Sequence, residues 1–406
     1  MEAALARRIR EAADSYKDYM VALRRDIHAH PEPGFQEFRT CQLLAGEFAK
    51  LGLPVRSGLA HTGVVALLRG ARPGKTVALR ADIDALPFTE QTGLPFASQT
   101  PGVAHLCGHD AHAAMLLGAA HVLYGLRDEL AGKVKFFCEP SEEGPNAEGV
   151  FGAQLMVADG AMDDPKVDAV FACHVFPEYP TGTVALRAGS IMAGHARFAL
   201  AVVGKEAHAA TPQLGVDAML VAGQVLNALH AYAARAVPPG GTFALNVGTI
   251  RGGAAYNLIA GRVDMVGSVR SDDEALRAGL GEVLERLVCG ITQAAGATYE
   301  FSYQPDTYPA TSNDPALTAL VRRTAAELLG EDKVIWMDRP RLTGETFCYY
   351  LERTPGVYFI LGTGNAAKGT TYSSHHPCFD IDEDALPAGA AMLAASAIAY
   401  LREQAT

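Results

Sequence analysis

The sequence predicts an α/β protein interrupted by a smaller α+β segment, and three observations carry that expectation. Short β-type runs alternate with helical ones through the first half, the pattern changes between about residues 190 and 304, and the alternation resumes after Pro305. Residues 64–68, 76–80, 134–137 and 169–173 are apolar, β-branched or aromatic runs of strand length, with a helical run over 113–126 between them. Residues 198–203, 244–250 and 263–270 read as strands, and 216–230 and 273–293 as amphipathic helices, enough for a small α+β domain. A helix over 315–329, a strand over 357–361 and a last helix after Pro387 return to the first pattern. The expected division is therefore one discontinuous domain, 1–189 with 305–406, holding an insertion at 190–304.

A chain of 406 residues suggests two or three compact units, and 49% hydrophobic with 19% charged residues is ordinary globular composition. The net charge of −11 argues against a nucleic-acid surface, which needs clustered cations to displace counterions. The Arg24-Arg25 pair reads as a solvated helix face. Seven cysteines from Cys41 to Cys378 make no disulfide framework, which points to a reducing, cytoplasmic setting. The first twenty or so residues alternate charges and lack a signal-peptide core, and the apolar stretch 388–401 falls short of a bilayer span, so no membrane is expected. There is no internal repeat or low-complexity segment.

Four short motifs carry chemistry. In Cys107-Gly108-His109-Asp110 a thiol and an imidazole two residues apart at a loop-to-helix junction can face one metal ion, with Asp110 orienting a ligand from behind. By itself, a buried cysteine beside a helix-capping aspartate is the commoner arrangement. Glu142-Glu143 follows an apolar strand; one carboxylate can ligate a cation while its neighbour moves a proton, although solvated acidic pairs are common. His174 ends the run 169–173, where ligands of open α/β sheets gather, and His375-His376 lie in a late loop. Cys107, His109, Glu143, His174 and one of the last pair exceed the needs of one tetrahedral site, which favours two metals and a hydrolase.

The order IHAHPEPGFQE, LRADIDALPF, CGHDAH, PSEEG, a strand-end His, a later lone His and SHHP before FDIDEDAL resembles the M20 metallopeptidase family. Its nearest branch is the aminoacylase, hippurate hydrolase and auxin-conjugate amidohydrolase group, and the likeness spans about residues 24–386. The resemblance implies a two- or three-layer α/β catalytic domain with an inserted lid that dimerises. It implies two divalent ions, manganese or zinc with cobalt or nickel as alternatives, on Cys107, His109, Glu143, His174 and His375. His375 is preferred to His376 for its spacing from Pro377. Glu142 becomes the general base, Asp82 and Asp84 support the site, and His208 reaches the partner subunit's site to stabilise an oxyanion. Asn257 and Arg270 become candidates for gripping a substrate carboxylate. The implied reaction is cleavage of an N-acyl amino acid or related small amide in a homodimer or higher homo-oligomer.

Several positions depart from that pattern. Cys138 replaces a glutamine, Pro145-Asn146-Ala147 a glycine-rich run, Glu206-Ala207 a Gly-Gly pair and Gln213 a histidine. Leu258-Ile259-Ala260 replaces Val-Ile-Pro, and Thr346 stands for an aspartate. These changes leave the substrate open. A metallo-dipeptidase or carboxypeptidase and an aromatic amide or amine hydrolase are the alternative enzymes, and a metal-stabilised binding protein is the non-enzyme alternative. That last reading leaves Glu142 without a purpose.

Overall fold

The computed structural model describes residues 2–235, 237 and 241–404. The chain forms two compact units, Met1–Gly189 with Ser312–Asp338 and Thr346–Thr406, and Ser190–Thr311 with Arg339–Glu345. In chain order the strands are β1 (Val55–Leu59), β2 (Gly63–Arg69), β3 (Arg72–Asp82), β4 (Ala131–Glu139), β5 (Ala169–Pro180), β6 (Val184–Leu186), β7 (Gly189–Met192), β8 (Gly194–Val203) and β9 (Ala207–His208). They continue as β10 (Phe243–Gly252), β11 (Leu258–Ile259), β12 (Arg262–Ser271), β13 (Thr298–Tyr308), β14 (Thr311–Asn313), β15 (Val334–Trp336) and β16 (Gly356–Gly364). The helices are α1 (Ala3–Ser15), α2 (Lys17–Ala29), α3 (Phe38–Lys50), α4 (His109–Gly125), α5 (Gly152–Ala158), α6 (Ala218–Ala233), α7 (Glu274–Ala294), α8 (Pro315–Leu329), α9 (Cys348–Leu351) and α10 (Leu386–Glu403).

The first unit is a three-layer α/β structure around a sheet of order β1-β2-β4-β3-β5-β16-β6-β15. Its centre, β4-β3-β5-β16, is parallel, while β1 and β2 add an antiparallel edge. Because both faces of parallel strands are covered, they read as continuous apolar runs. Val77, Leu79, Val134, Phe136 and Phe171 join the core with α4 and α10, whereas Phe137 on the other face meets Tyr350 of α9 at a ring distance of 5.6 Å. Parallel strands bring their carboxyl ends to one edge of the sheet, where open α/β folds place their ligands.

Helix α4 is buried along nearly its whole length. Helix α10 and the turn before it, Glu383–Glu403, are long and apolar enough to cross a membrane, but 83% of that window is buried inside the unit. Length therefore does not separate this stretch from a membrane span, as the sequence suggested; packing gives it a core role.

In the second unit β10-β12-β8-β13 form an antiparallel sheet whose alternating residues Phe198, Leu200, Val202, Val263, Met265 and Val269 pack with α6 and α7. Asp217 and Asp273 start those helices by accepting backbone N–H groups from the first turn.

Arg24 is not on a solvated face. It is 1% exposed and inserts between Asp110 (Nε–Oδ2 3.0 Å), Asp380 (Nη2–Oδ1 2.5 Å) and Glu383 (Nη1–Oε1 3.0 Å), while Arg25 stays outside on Glu383. A cation at that depth is tolerable only because carboxylates surround it.

Candidate active site

The donors come from the carboxyl edge of the first unit's sheet. β3 ends at Asp82, β4 ends at Glu139 just before Glu142 and Glu143, and α4 begins at His109. His174 lies inside β5 rather than at its end, since β5 continues to Pro180; it sits two residues past Ala172, the last partner of β3. Gly108 has φ 95°, and any Cβ there would strike Val175, so the turn that presents Cys107 and His109 requires glycine.

Cys107 Sγ lies 3.4 Å from His174 Nε2. His109 Nε2 is 3.7 Å from Glu143 Oε1, and Glu143 Oε2 is 3.4 Å from His375 Nε2. Donor atoms of Cys107, His109 and His174 all fall within 4.8 Å of one another, as do those of Cys107, Glu143 and His375, and those of His109, Glu142 and Glu143. His375 thus joins the cluster, whereas His376 stacks on Tyr372 at 4.4 Å and accepts the Cys378 N–H.

The tautomers follow from the partners. A carbonyl can only accept, so His109 donates Nδ1–H to Asp84 (2.9 Å to the carbonyl, 3.0 Å to Oδ1) and His174 donates Nδ1–H to the Val175 carbonyl at 2.8 Å. Both rings turn Nε2 toward the cluster, the arrangement in which a carboxylate or carbonyl orients a metal-binding imidazole. His109 Nε2 and Glu143 Oε1 are buried and make no hydrogen bond among the described residues. Buried polar atoms seldom go unmatched, and a divalent cation matches this S, N and O set. Burial, then Glu143, push the Cys107 thiol well up, so its thiolate needs a nearby cation. Burial, then His112, hold His174 well below its ordinary value and leave its ring neutral, as a ligand must be.

A second set of contacts shapes the loop that carries Glu142. Ser141 has φ 50°, an uncommon conformation for a side-chain-bearing residue. Buried Glu37 accepts its N–H at 2.9 Å, and its hydroxyl donates to the Gly144 carbonyl at 2.7 Å. The Ser141 side chain occupies the space where a Cβ of Gly34 would be, which explains the glycine in the PEPGFQE segment. Burial, then the Asp84 charge, raise Glu37 to about 7 against the hydrogen bonds from Thr62 and Ser141. Asp84 Oδ2 accepts the Glu143 N–H at 3.0 Å, so Asp84 holds a candidate ligand and the carboxylate loop together.

Asp110 does not orient a ligand: its Oδ2 takes Arg24 at 3.0 Å and His28 Nδ1 at 2.8 Å. His112, which sequence reasoning did not select, accepts the Val175 N–H on Nε2 at 2.9 Å and donates Nδ1–H to Asp82 at 2.5 Å. Its spacing of three from His109 places it one turn on along the same helix face, the signal that could have found it.

The second unit treats its three candidates differently. His208 pairs with Leu258 in the two-stranded β9–β11 ladder, next to Asn257, whose carbonyl takes the Ala209 N–H at 3.0 Å. His208 is exposed, and its Nδ1 accepts the Ala210 N–H at 3.0 Å, which leaves Nε2–H as an outward donor. Arg270 is not near them. It pairs with His195 at the far end of β12 from Arg262 and donates to the Tyr308 hydroxyl at 3.2 Å and the Leu342 carbonyl at 3.1 Å. Eight residue steps of strand separate the two ends, roughly 26 Å.

The sequence pattern of peptidase family M20/M25/M40 matches residues 78–399. Thermostable carboxypeptidase 1 of Saccharolobus solfataricus is 38% identical over 98% of this chain and 99% of its own. An N-acyl-L-amino acid amidohydrolase of Geobacillus stearothermophilus is 39% identical over 73% of this chain and 78% of its own. The crystal structure of the Bacillus subtilis YXEP protein, described as a dinuclear metal binding peptidase from the M20 family, has a TM-score of 0.82 and 31% identity, covering 96% of this chain and 99% of that one. The chain belongs to peptidase family M20/M25/M40 and is a metal-dependent hydrolase.

Proposed function

We propose that the chain hydrolyses the amide bond of N-acyl amino acids or closely related small amides, with Glu142 as the general base. The observation that carries this reading is a carboxylate in excess of the ligand set. Glu142 stands within 4.8 Å of His109 and Glu143, and the Thr346 N–H holds its Oε1 at 3.1 Å. Two divalent ions held by Cys107, His109, Glu143, His174 and His375, manganese or zinc, would supply Lewis acidity and lower the pKa of water from 15.7 to about 7. Asp84, Glu37 and Ser141 keep the Glu142–Glu143 loop in place. Glu142 takes the proton from the attacking water as its oxygen bonds to the carbonyl carbon. It returns that proton to the amine nitrogen as the C–N bond breaks.

His208 supplies Nε2–H to the oxyanion, and Arg270 of one copy with Asn257 of the other binds the carboxylate of the acyl amino acid. The distance between Arg270 and the His208–Asn257 pair supports a division of labour between copies, in which His208 serves the partner's site. On this reading residues 190–304 form a lid that also dimerises. Leu214, Met219, Leu220, Ile250 and Tyr256 are exposed there, an apolar surface suited to a second copy of the chain. Free cysteines throughout the described residues support a reducing, cytoplasmic setting.

A carboxypeptidase or dipeptidase reading is favoured by the relative named thermostable carboxypeptidase 1. One experiment separates the two. The protein is stripped of metal, reloaded with zinc, manganese, cobalt or nickel, and assayed on N-acyl amino acids, dipeptides, N-blocked peptides and aromatic amides. Metal-dependent release of amino acid from N-acyl amino acids is expected. Cleavage confined to peptides would replace this substrate class with the second reading.

A further inference from the structure

Thr346 stands where the resemblance leads one to expect an aspartate, and its surroundings give the exchange a physical meaning. Arg80 of β3 and Glu139 at the end of β4 form a fully buried two-point pair, with Nε to Oε2 at 2.7 Å and Nη2 to Oε1 at 2.9 Å. Arg80 Nη1 also holds Asp82 Oδ2 at 2.7 Å. The Thr346 hydroxyl closes onto this pair: it donates to Glu139 Oε1 at 2.5 Å and accepts from Arg80 Nη2 at 3.1 Å. The same residue's N–H donates to Glu142 Oε1 at 3.1 Å.

A threonine side chain has one soft torsion, and two hydrogen bonds fix it. The backbone N–H is thereby fixed as well. An aspartate at 346 could not donate to Glu139 when ionised, and it would add a third carboxylate to a buried group containing one arginine. Threonine donates and brings no charge.

We infer that Thr346 is a positioning residue for the reaction: its hydroxyl, anchored on the Arg80–Glu139 pair, aims its N–H at Oε1 of Glu142 and so orients that carboxylate. This rests on Glu142 being the general base. Its energetic content is orientation, because a base held off its working geometry loses turnover before it loses substrate.

The test uses the metal-loaded full chain and the best-cleaved N-acyl amino acid, with kcat, KM, metal per subunit and thermal midpoint measured for Thr346→Val, Thr346→Ser, Thr346→Asp and Glu142→Gln. Thr346→Val is expected to lower kcat about 10–100-fold, with KM and metal content unchanged, as for other residues that orient a site from behind. Thr346→Ser keeps the hydroxyl and should restore kcat to within about threefold of wild type. Thr346→Asp should be slow despite full metal occupancy, and it decides the matter if the valine variant does not fold. Wild-type kcat in Thr346→Val or Thr346→Asp, or a serine variant as slow as the valine one, overturns the inference. If Glu142→Gln itself turns over normally, the general-base reading fails; if Glu142→Gln is inactive while Thr346→Val is fast, only the role of Thr346 fails.

Discussion

In the first unit the candidate residues sit at one edge of one sheet, and most are held from behind by a named partner: His109 by Asp84, His174 by the Val175 carbonyl, Glu143 by Asp84 and Ser141 by Glu37. In the second unit His208 is exposed on a two-residue strand, Asn257 lies beside it, and Arg270 stands at the opposite end of β12. The difference fits the roles proposed for each set. Cation ligands must converge to within a few ångströms before the ion arrives, and only a rigid scaffold with buried orienting partners can arrange that. Residues that meet a substrate, or a site on another copy, need no mutual support.

The sharpest way to break this contrast is Cys107→Ala. It should lose most of the bound metal and with it more than about a hundredfold in activity, since ligands in the first unit are interdependent. Unchanged metal content by elemental analysis would remove Cys107 from the set. Next is the support below α4. Arg24→Met leaves buried Asp110 with His28 as a partner but without its arginine and should cost about 3–5 kcal/mol in urea unfolding. A smaller change would mean that water reaches Asp110.

The neighbouring His28 gives a pH dependence. Burial opposes its charge, but the hydrogen bond and charge of Asp110, then the hydrogen bond with Glu90, raise it to about 9. The unfolded chain, near 6.5, releases its proton first as pH rises, so the stabilisation is complete below about 6.5 and is lost through about 9. Thermal midpoints of His28→Gln should therefore fall less over that interval than those of wild type; parallel curves would contradict this. The smallest effect belongs to the second unit. His208→Ala should lower kcat by about 100-fold with full metal occupancy, because on the proposed reading it removes one oxyanion donor and no ligand. Loss of metal in that variant would erase the contrast between the units.

Much of the scaffold and the ligand set can be read from the chain because each signal is local. The runs at 134–137 and 169–173 fall inside β4 and β5, and 315–329 coincides with α8. Cys107, His109, Glu142, Glu143 and His375 announce themselves by residue type within short motifs. The supports are illegible because they are tertiary. Glu37 meets Ser141 across 104 residues, and Thr346 meets Glu139 across 207. Arg24 looked solvated because Asp110 and Asp380 lie 86 and 356 residues away. The edge strand β13 and the helix α3 carry local signals too: Tyr299, Phe301 and Tyr303 alternate with polar residues, and Cys41, Leu44 and Phe48 recur at helical spacing.

The central claim is that Glu142 moves the proton while its neighbours hold the metals. Glu142→Gln, which changes one oxygen for nitrogen and leaves every ligand in place, tests it most directly when turnover and metal content are read on the same preparation. The account predicts unchanged metal per subunit and a loss in kcat of about a hundredfold to ten-thousandfold. A variant that keeps its metal and turns over at near the wild-type rate would contradict it.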